Sequence, residues 1–194
     1  MSSTTATAAT ASSGADLDTE TTGSGSNAPR VRLQTTIGDL VFEIYETDAP
    51  ITAGNFLTYV DDGLLTGATF YRTVTLDNQG PREVPIEVIQ GGLGVVRTLP
   101  PIPHETTEQT GILHLDGTIS MARAEVGTAT SEFFVCIGDQ PALDFGGERN
   151  PDGQGFAAFG RLVEGDDVAF QIQQQPANGQ SLEPPIAITS VTRE

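Results

Sequence analysis

Apolar and polar residues alternate over residues 31–35 (VRLQT) and 40–45 (LVFEIY), the two-residue period of half-buried strands. The Gly38-Asp39 pair between them predicts a hairpin turn. The period then lengthens in DAPITAGNFLTYVDDG, where Thr52, Phe56, Tyr59 and Val60 fall on one side at helical spacing. Pro50 suits a first helical position, and Gly63 stops the element. Short apolar segments follow at 68–73, 86–90, 119–123, 132–137 and 156–163, each bounded by Gly, Pro, Asn or Asp. A second helical stretch, DDVAFQIQQQ at 166–175, precedes a last strand, IAITSV, at 186–191. Many short strands with two isolated helices predict a mainly β chain, an antiparallel barrel or sandwich rather than a βαβ repeat. Closure into a barrel plugged by the helices would remove the exposed sheet edges. Two longer segments, 74–86 and 145–155, read as loops of a length that more often shapes a site than a core.

Composition divides the chain in two. Residues 1–29 carry no Phe, Tyr, Ile or Val and no basic residue, so they cannot bury enough apolar area to offset the entropy of ordering. A disordered tail over 1–29 and one domain over 30–194 are expected. The tail lacks the basic start and apolar segment of a signal peptide, and no later run is long enough to span a bilayer. A soluble cytoplasmic protein is expected, with an exported or lipid-anchored one as the alternative if a leader has been removed. The formal charge is −17, and all nine basic residues are Arg. Nucleic acid is therefore not an expected partner, because affinity for it rests on basic residues neutralising phosphates. Such a surface suits high salt, where self-repulsion is screened, and favours a monomer. Cys136 stands alone in the apolar run FFVCIG and reads as a small core residue. His104 and His114 lie ten apart, a spacing that supports no metal site, and no Gly-Xaa-Ser-Xaa-Gly elbow points to hydrolysis. No cofactor is expected.

One stretch resists a purely structural reading. EVIQGG at 87–92 sets a lone amide, Gln90, between an apolar strand and two glycines that let something approach the backbone. With it come FYR (70–72), PPIPHE (100–105), GTISMAR (117–123), ATSEFF (129–134), LDFGG (143–147) and FAAFGRLVEG (156–165), in that order. From about Val31 to the C-terminus this series resembles the cyclophilin-type peptidyl-prolyl isomerases, most closely their bacterial branch. The resemblance implies a closed eight-stranded antiparallel β-barrel capped by two α-helices. It also implies Arg72 as the catalytic cation in a groove on the barrel's outer face, with Gln90 beside it orienting the guanidinium. The proline ring would be held by Val88, Met121, Phe134, Leu143 and Phe156, with Phe70 also among the substrate-binding residues. Ala122 and Arg123 would flank the substrate backbone, and Glu132 would sit at the pocket rim. The substrates would be unfolded or flexible polypeptides containing Xaa-Pro bonds.

The chemistry explains why these residue types suffice. An Xaa-Pro bond isomerises in roughly 10–100 s unaided because rotation interrupts amide resonance. No bond breaks, so neither nucleophile nor metal is required. A fixed cationic donor aimed at the prolyl nitrogen, which regains its lone pair at the twisted midpoint, stabilises the transition state above either ground state. The chain also departs from the family's best-known members. Glu87-Val88 replaces Phe-Met, Glu132 replaces a Gln, Arg123 an Asn and Phe156 a His. Glu132 is placed to pair with Arg72 or Arg123, either orienting the catalytic guanidinium or restraining it. These departures keep open a second reading, a barrel that binds proline peptides as an adaptor or holdase with catalysis lost. The 74–86 segment is placed to overhang the groove. Ala142 stands where the family's drug-contacting Trp would be. Weak cyclosporin binding is therefore expected, and tight inhibition in a titration would overturn that assignment.

Overall fold

The computed structural model describes Met1 and residues 28–81, 83–94 and 99–194, so the tail expected over 1–29 falls, apart from Met1, Ala28 and Pro29, outside the described residues. Strands β1 (Arg30–Thr35), β2 (Gly38–Ile44), β3 (Thr69–Val74), β4 (Val88–Gly92), β5 (Thr118–Met121), β6 (Phe133–Cys136), β7 (Ala157–Glu164), the two-residue β8 (Ala177–Asn178) and β9 (Ser181–Arg193) form one antiparallel sheet. Its order is β1-β2-β7-β5-β6-β4-β3-β9-β8, and pairing of β1 with β9 closes the first eight into a barrel. Closure leaves those eight strands without a free edge. The expected hairpin is displaced by two residues. Thr35 pairs with Gly38 and Gln34 with Asp39, so Thr36-Ile37 form the turn and Gly38-Asp39 already belong to β2. The Thr35 hydroxyl donates to the Gly38 carbonyl at 2.6 Å, which pins this tight connection.

Helix α1 (Pro50–Asp61) lies across one end of the barrel. Thr52, Phe56, Tyr59 and Val60 share its buried face, as the spacing predicts. The Phe56 ring meets Phe133 edge-on at 5.8 Å and Phe159 at 5.1 Å, which seats the helix on β6 and β7. Ala49 offers no side-chain cap. The nearly buried carboxylate of Glu105 instead accepts the amide protons of Ile51 and Thr52, at 3.2 and 2.7 Å, and the Thr52 hydroxyl at 2.7 Å. An anion at these orphan donors also complements the helix dipole. A one-turn helix α2 (Thr107–Thr110), absent from the sequence expectation, follows. Helix α3 (Asp166–Gln173) buries Ala169 and Ile172 at the other end.

Two apolar clusters result. The larger fills the barrel, including Leu33, Phe42, Phe56, Phe70, Ile89, Phe133 and Phe159. The smaller lies on the outer face: Val74, Ile86, Val88, Phe134, Cys136 and Leu143, with Ala122, Ala142 and Phe156 packed against it. Truncating Phe56 would leave a void beside the Phe133 and Phe159 rings, so Phe56→Ala is expected to cost about 3–5 kcal/mol in chemical denaturation.

Candidate active site

Side chains on a strand alternate between faces, so Phe70 and Arg72 should both point into the barrel. They do not, because the register of β3 slips by one residue. Phe70 pairs with Gly91, whereas Arg72 pairs with Gln90, leaving Tyr71 as the extra residue of a bulge. Arg72 is thereby turned to the outer face, in one cross-strand row with Gln90, Phe134 and Ser120. The adjacent row, Phe70, Gly91, Phe133 and Met121, points inward. Gly91 has no side chain because the Phe70 and Phe133 rings meet edge-on at 5.7 Å. A Cβ there would stand 2.8 Å from the Thr69 carbonyl oxygen and 3.0 Å from the Phe70 ring.

The Arg72 guanidinium is held from two sides. Nη1 donates to Gln90 Oε1 at 2.7 Å; Nε and Nη2 donate to Gln180 Oε1 at 2.9 and 2.6 Å. Gln90 is fixed in turn, its Nε2 donating to the Tyr71 hydroxyl at 2.7 Å. Tyr71 donates to Glu132 Oε2 at 2.5 Å, and Glu132 Oε1 accepts from the Gly94 amide at 2.8 Å. An ionised carboxylate only accepts, so the direction of every bond in this series is set and the Gln90 carbonyl must face Arg72. Burial and the bond to Glu132 push the Tyr71 phenol well above its ordinary pKa, so it stays a donor. Burial and the nearby Arg149 charge lower the Arg72 pKa, yet a guanidinium stays charged at neutral pH.

Beside Arg72 opens a hollow of about 220 Å³, lined by Val88, Gln90, Ala122, Arg123, Phe134, Leu143 and Phe156 together with Ile86, Arg149 and Asn150. Leu143 comes from a 3₁₀ turn (Pro141–Leu143), and the Phe156 backbone N–H donates a hydrogen bond to the Leu143 carbonyl at 2.9 Å. Phe156 meets Phe134 edge-on at 5.4 Å. Arg123 is drawn back from the opening. Its guanidinium lies over the Phe156 ring at 5.3 Å, donates to the Gly155 carbonyl at 2.6 and 2.9 Å, and clasps Asp152 at 2.7 and 2.9 Å.

Comparison with known proteins places this arrangement. The family model described as cyclophilin type peptidyl-prolyl cis-trans isomerase/CLD matches residues 30–193. The chain belongs to the cyclophilin-type peptidyl-prolyl cis-trans isomerases. It is 35% identical over 150 residues to peptidyl-prolyl cis-trans isomerase A of Dickeya dadantii, covering 74% of this chain and 70% of that one. It is 34% identical over 149 residues to the cyp18 isomerase of Streptomyces antibioticus, covering 74% and 82%. Isomerase B of Escherichia coli is 32% identical over 145 residues, covering 74% and 83%. In fold, the crystal structure of a Cryptosporidium parvum cyclophilin matches with a TM-score of 0.69 at 20% identity, covering 87% of this chain and 98% of that one. The protein is thus an isomerase of proline-containing peptides.

Three expectations about this cyclophilin need correction. Phe70 and Met121 do not line the hollow; both are buried in the barrel cluster, because they stand on the inward row while Arg72 stands on the outward one. Glu132 pairs with neither Arg72 nor Arg123, because Tyr71 intercepts it. It lines a neighbouring hollow of about 590 Å³ that shares Gln90, Ala122 and Arg123 with the first. The positive φ of +148° at Gly92, which side chains rarely adopt, and the closeness of that carboxylate, 2.5 Å from where a Cβ would stand, leave no room for another residue.

Several residues went unforeseen. Tyr71 sits inside the FYR motif, between the two residues to which the motif assigns a role. Gln180 carries no local signal, being 108 residues from Arg72 in sequence. Arg149 clips the two long loops together, donating to Val84 O at 2.7 Å and Gln79 Oε1 at 3.1 Å and pairing with Glu83 at 3.2 Å. Instead of a free overhang, the 74–86 segment contributes Ile86 to the wall, pinned by Gln79. Behind Phe134, His114 Nδ1 lies 2.7 Å from Asp144 and Nε2 lies 3.0 Å from Ser120 Oγ. This has the outline of a hydrolytic triad, but Ser120 is wholly buried and no substrate reaches it. The His114 ring stacks at 5.9 Å on Phe134 and backs the pocket wall. Cys136 is buried, which pushes its thiol pKa up and makes it inert. His104 Nε2 lies 3.0 Å from the Gln154 carbonyl, and among the described residues no group of three His, Cys, Asp or Glu is close enough to hold a metal.

The Arg123 guanidinium, followed by the Gln154 amide, holds the Asp152 carboxyl down to about 2. A depressed folded-state pKa contributes stability above the ordinary carboxylate pKa and loses it as pH falls toward the folded value. Asp152→Asn is therefore expected to lower the Tm at pH 7, with the gap from wild type closing between about pH 4 and pH 2 in a melting series.

Proposed function

We propose that this enzyme turns Xaa-Pro bonds of flexible polypeptides by seating the proline ring among Val88, Phe134, Leu143 and Phe156 while Arg72 donates to the prolyl nitrogen. The observation that carries the reading is Arg72 turned outward at the mouth of a hollow walled in part by Val88, Phe134, Leu143 and Phe156, 2.7 Å from the amide that orients it. The hollow's 220 Å³ lies below the roughly 300–1,000 Å³ of pockets that enclose drug-sized ligands, and suits one small ring. Gripping the ring while leaving the preceding carbonyl free lets that carbonyl swing through the twisted midpoint.

A guanidinium has five N–H donors, and three of its nitrogens each make one protein contact here, which leaves two N–H groups for the substrate. One meets the pyramidal prolyl nitrogen; the other can steady a neighbouring carbonyl. A charge-assisted hydrogen bond nets about 1.5–3 kcal/mol, or about one to two powers of ten in rate. Ring capture and exclusion of water supply the remainder. The adaptor reading fares worse, because a binding surface has no need of a cation fixed this closely.

Arg72→Ala is expected to slow isomerisation of a proline tetrapeptide by about one to two powers of ten while binding persists. Turnover left intact in a two-dimensional exchange measurement would sink the assignment of Arg72.

A further inference from the structure

Gln90 alone cannot fix Arg72. A single contact at Nη1 leaves the long side chain free to swing about its own axis, and that freedom would have to be frozen out at each turnover. The missing constraint comes from outside the FYR and IQGG segments. Gln180 lies in the turn between β8 and β9, and its Oε1 accepts both Nε–H and Nη2–H, on the edge of the guanidinium away from Gln90. Two acceptors on different edges define the plane of the cation.

Gln180 is itself braced. Its Nε2 donates to the Asn78 main-chain carbonyl at 3.2 Å, so inverting the amide would lose this bond and both bonds to Arg72. Its own carbonyl accepts from the Thr73 amide at 2.9 Å, beside the bulge. Asn78 belongs to a 3₁₀ turn (Leu76–Asn78) within the 74–86 segment. Its side-chain amide donates to Thr73 O at 3.0 Å and Gly179 O at 3.2 Å, while its Oδ1 accepts from Thr75 N at 2.9 Å. The start of the long loop is thereby bonded to the strand that carries Arg72 and to the turn that carries Gln180.

We propose that Gln180, braced by Asn78, is a positioning residue for isomerisation that fixes the Arg72 guanidinium plane. The first part of the 74–86 segment then serves catalysis through Gln180 rather than through substrate contact. The inference rests on Arg72 being the catalytic donor.

The test is a set of variants of the full chain, each assayed for kcat, KM, peptide affinity and Tm. Gln180→Met keeps the length of the side chain and removes the acceptor. It is expected to lower kcat on the order of tenfold with KM and Tm little changed, and Gln180→Glu, which restores an acceptor oxygen but neutralises the cation and loses the bond to Asn78, is expected to recover only part of it. In an Arg72→Ala background the Gln180→Met change should cost less than about twofold, because the group it positions is gone. Unaltered kcat in Gln180→Met, or equal losses with and without Arg72, would overturn the proposal. Should Gln180→Met fold poorly, Gln180→Ala carries the same two comparisons. Full turnover in Arg72→Ala alone would instead defeat the reading of Arg72, an outcome separate from failure of Gln180.

Discussion

Arg72 and Gln90 face one another only because the register between β3 and β4 slips at Tyr71, and nearly every property of the site descends from that slip. With regular pairing, the two-residue period would send Arg72 into a barrel packed with phenylalanine rings, an uncompensated buried cation. The bulge turns it outward and does so on rigid strands rather than on a loop. It also places two consecutive residues, Tyr71 and Arg72, on the outer side, so one can orient the amide that orients the other.

The charge balance around the hollow follows the same logic. Three arginines line it, but Arg123 and Arg149 have their guanidinium groups bonded to carboxylates and carbonyls of the protein. Arg72 is held by neutral amides instead. Amide acceptors fix direction without neutralising the cation, and in a half-buried setting its field is weakly screened. Glu132 stays one step removed. Its negative charge reaches Arg72 through Tyr71 and Gln90, as alignment rather than as a direct ion pair.

Much of this was legible in the chain. The alternating segments gave the strands, since a closed sheet with one face buried forces the two-residue period, and FYR with IQGG named the two residues that meet. What escaped notice had physical causes. Phe70 and Met121 sit beside true wall residues in sequence, and a motif does not say which of two neighbours faces outward until the register is known. The bulge itself leaves no mark in the letters. The charge of Glu132 suggests an arginine partner, but the hydroxyl of Tyr71 takes that place. Gln180 meets Arg72 only after the chain has passed around the whole barrel, a contact that no local pattern carries.

Arg149 sews the 74–86 and 145–155 segments into one seam beside the hollow. Their lengths and compositions are therefore not independent variables. Shortening either one would orphan a cation, and a transplanted copy of one would arrive without its fastening. Diversification of this enzyme's groove should proceed by exchanging both segments together, as a single cassette whose unit of inheritance is the pair.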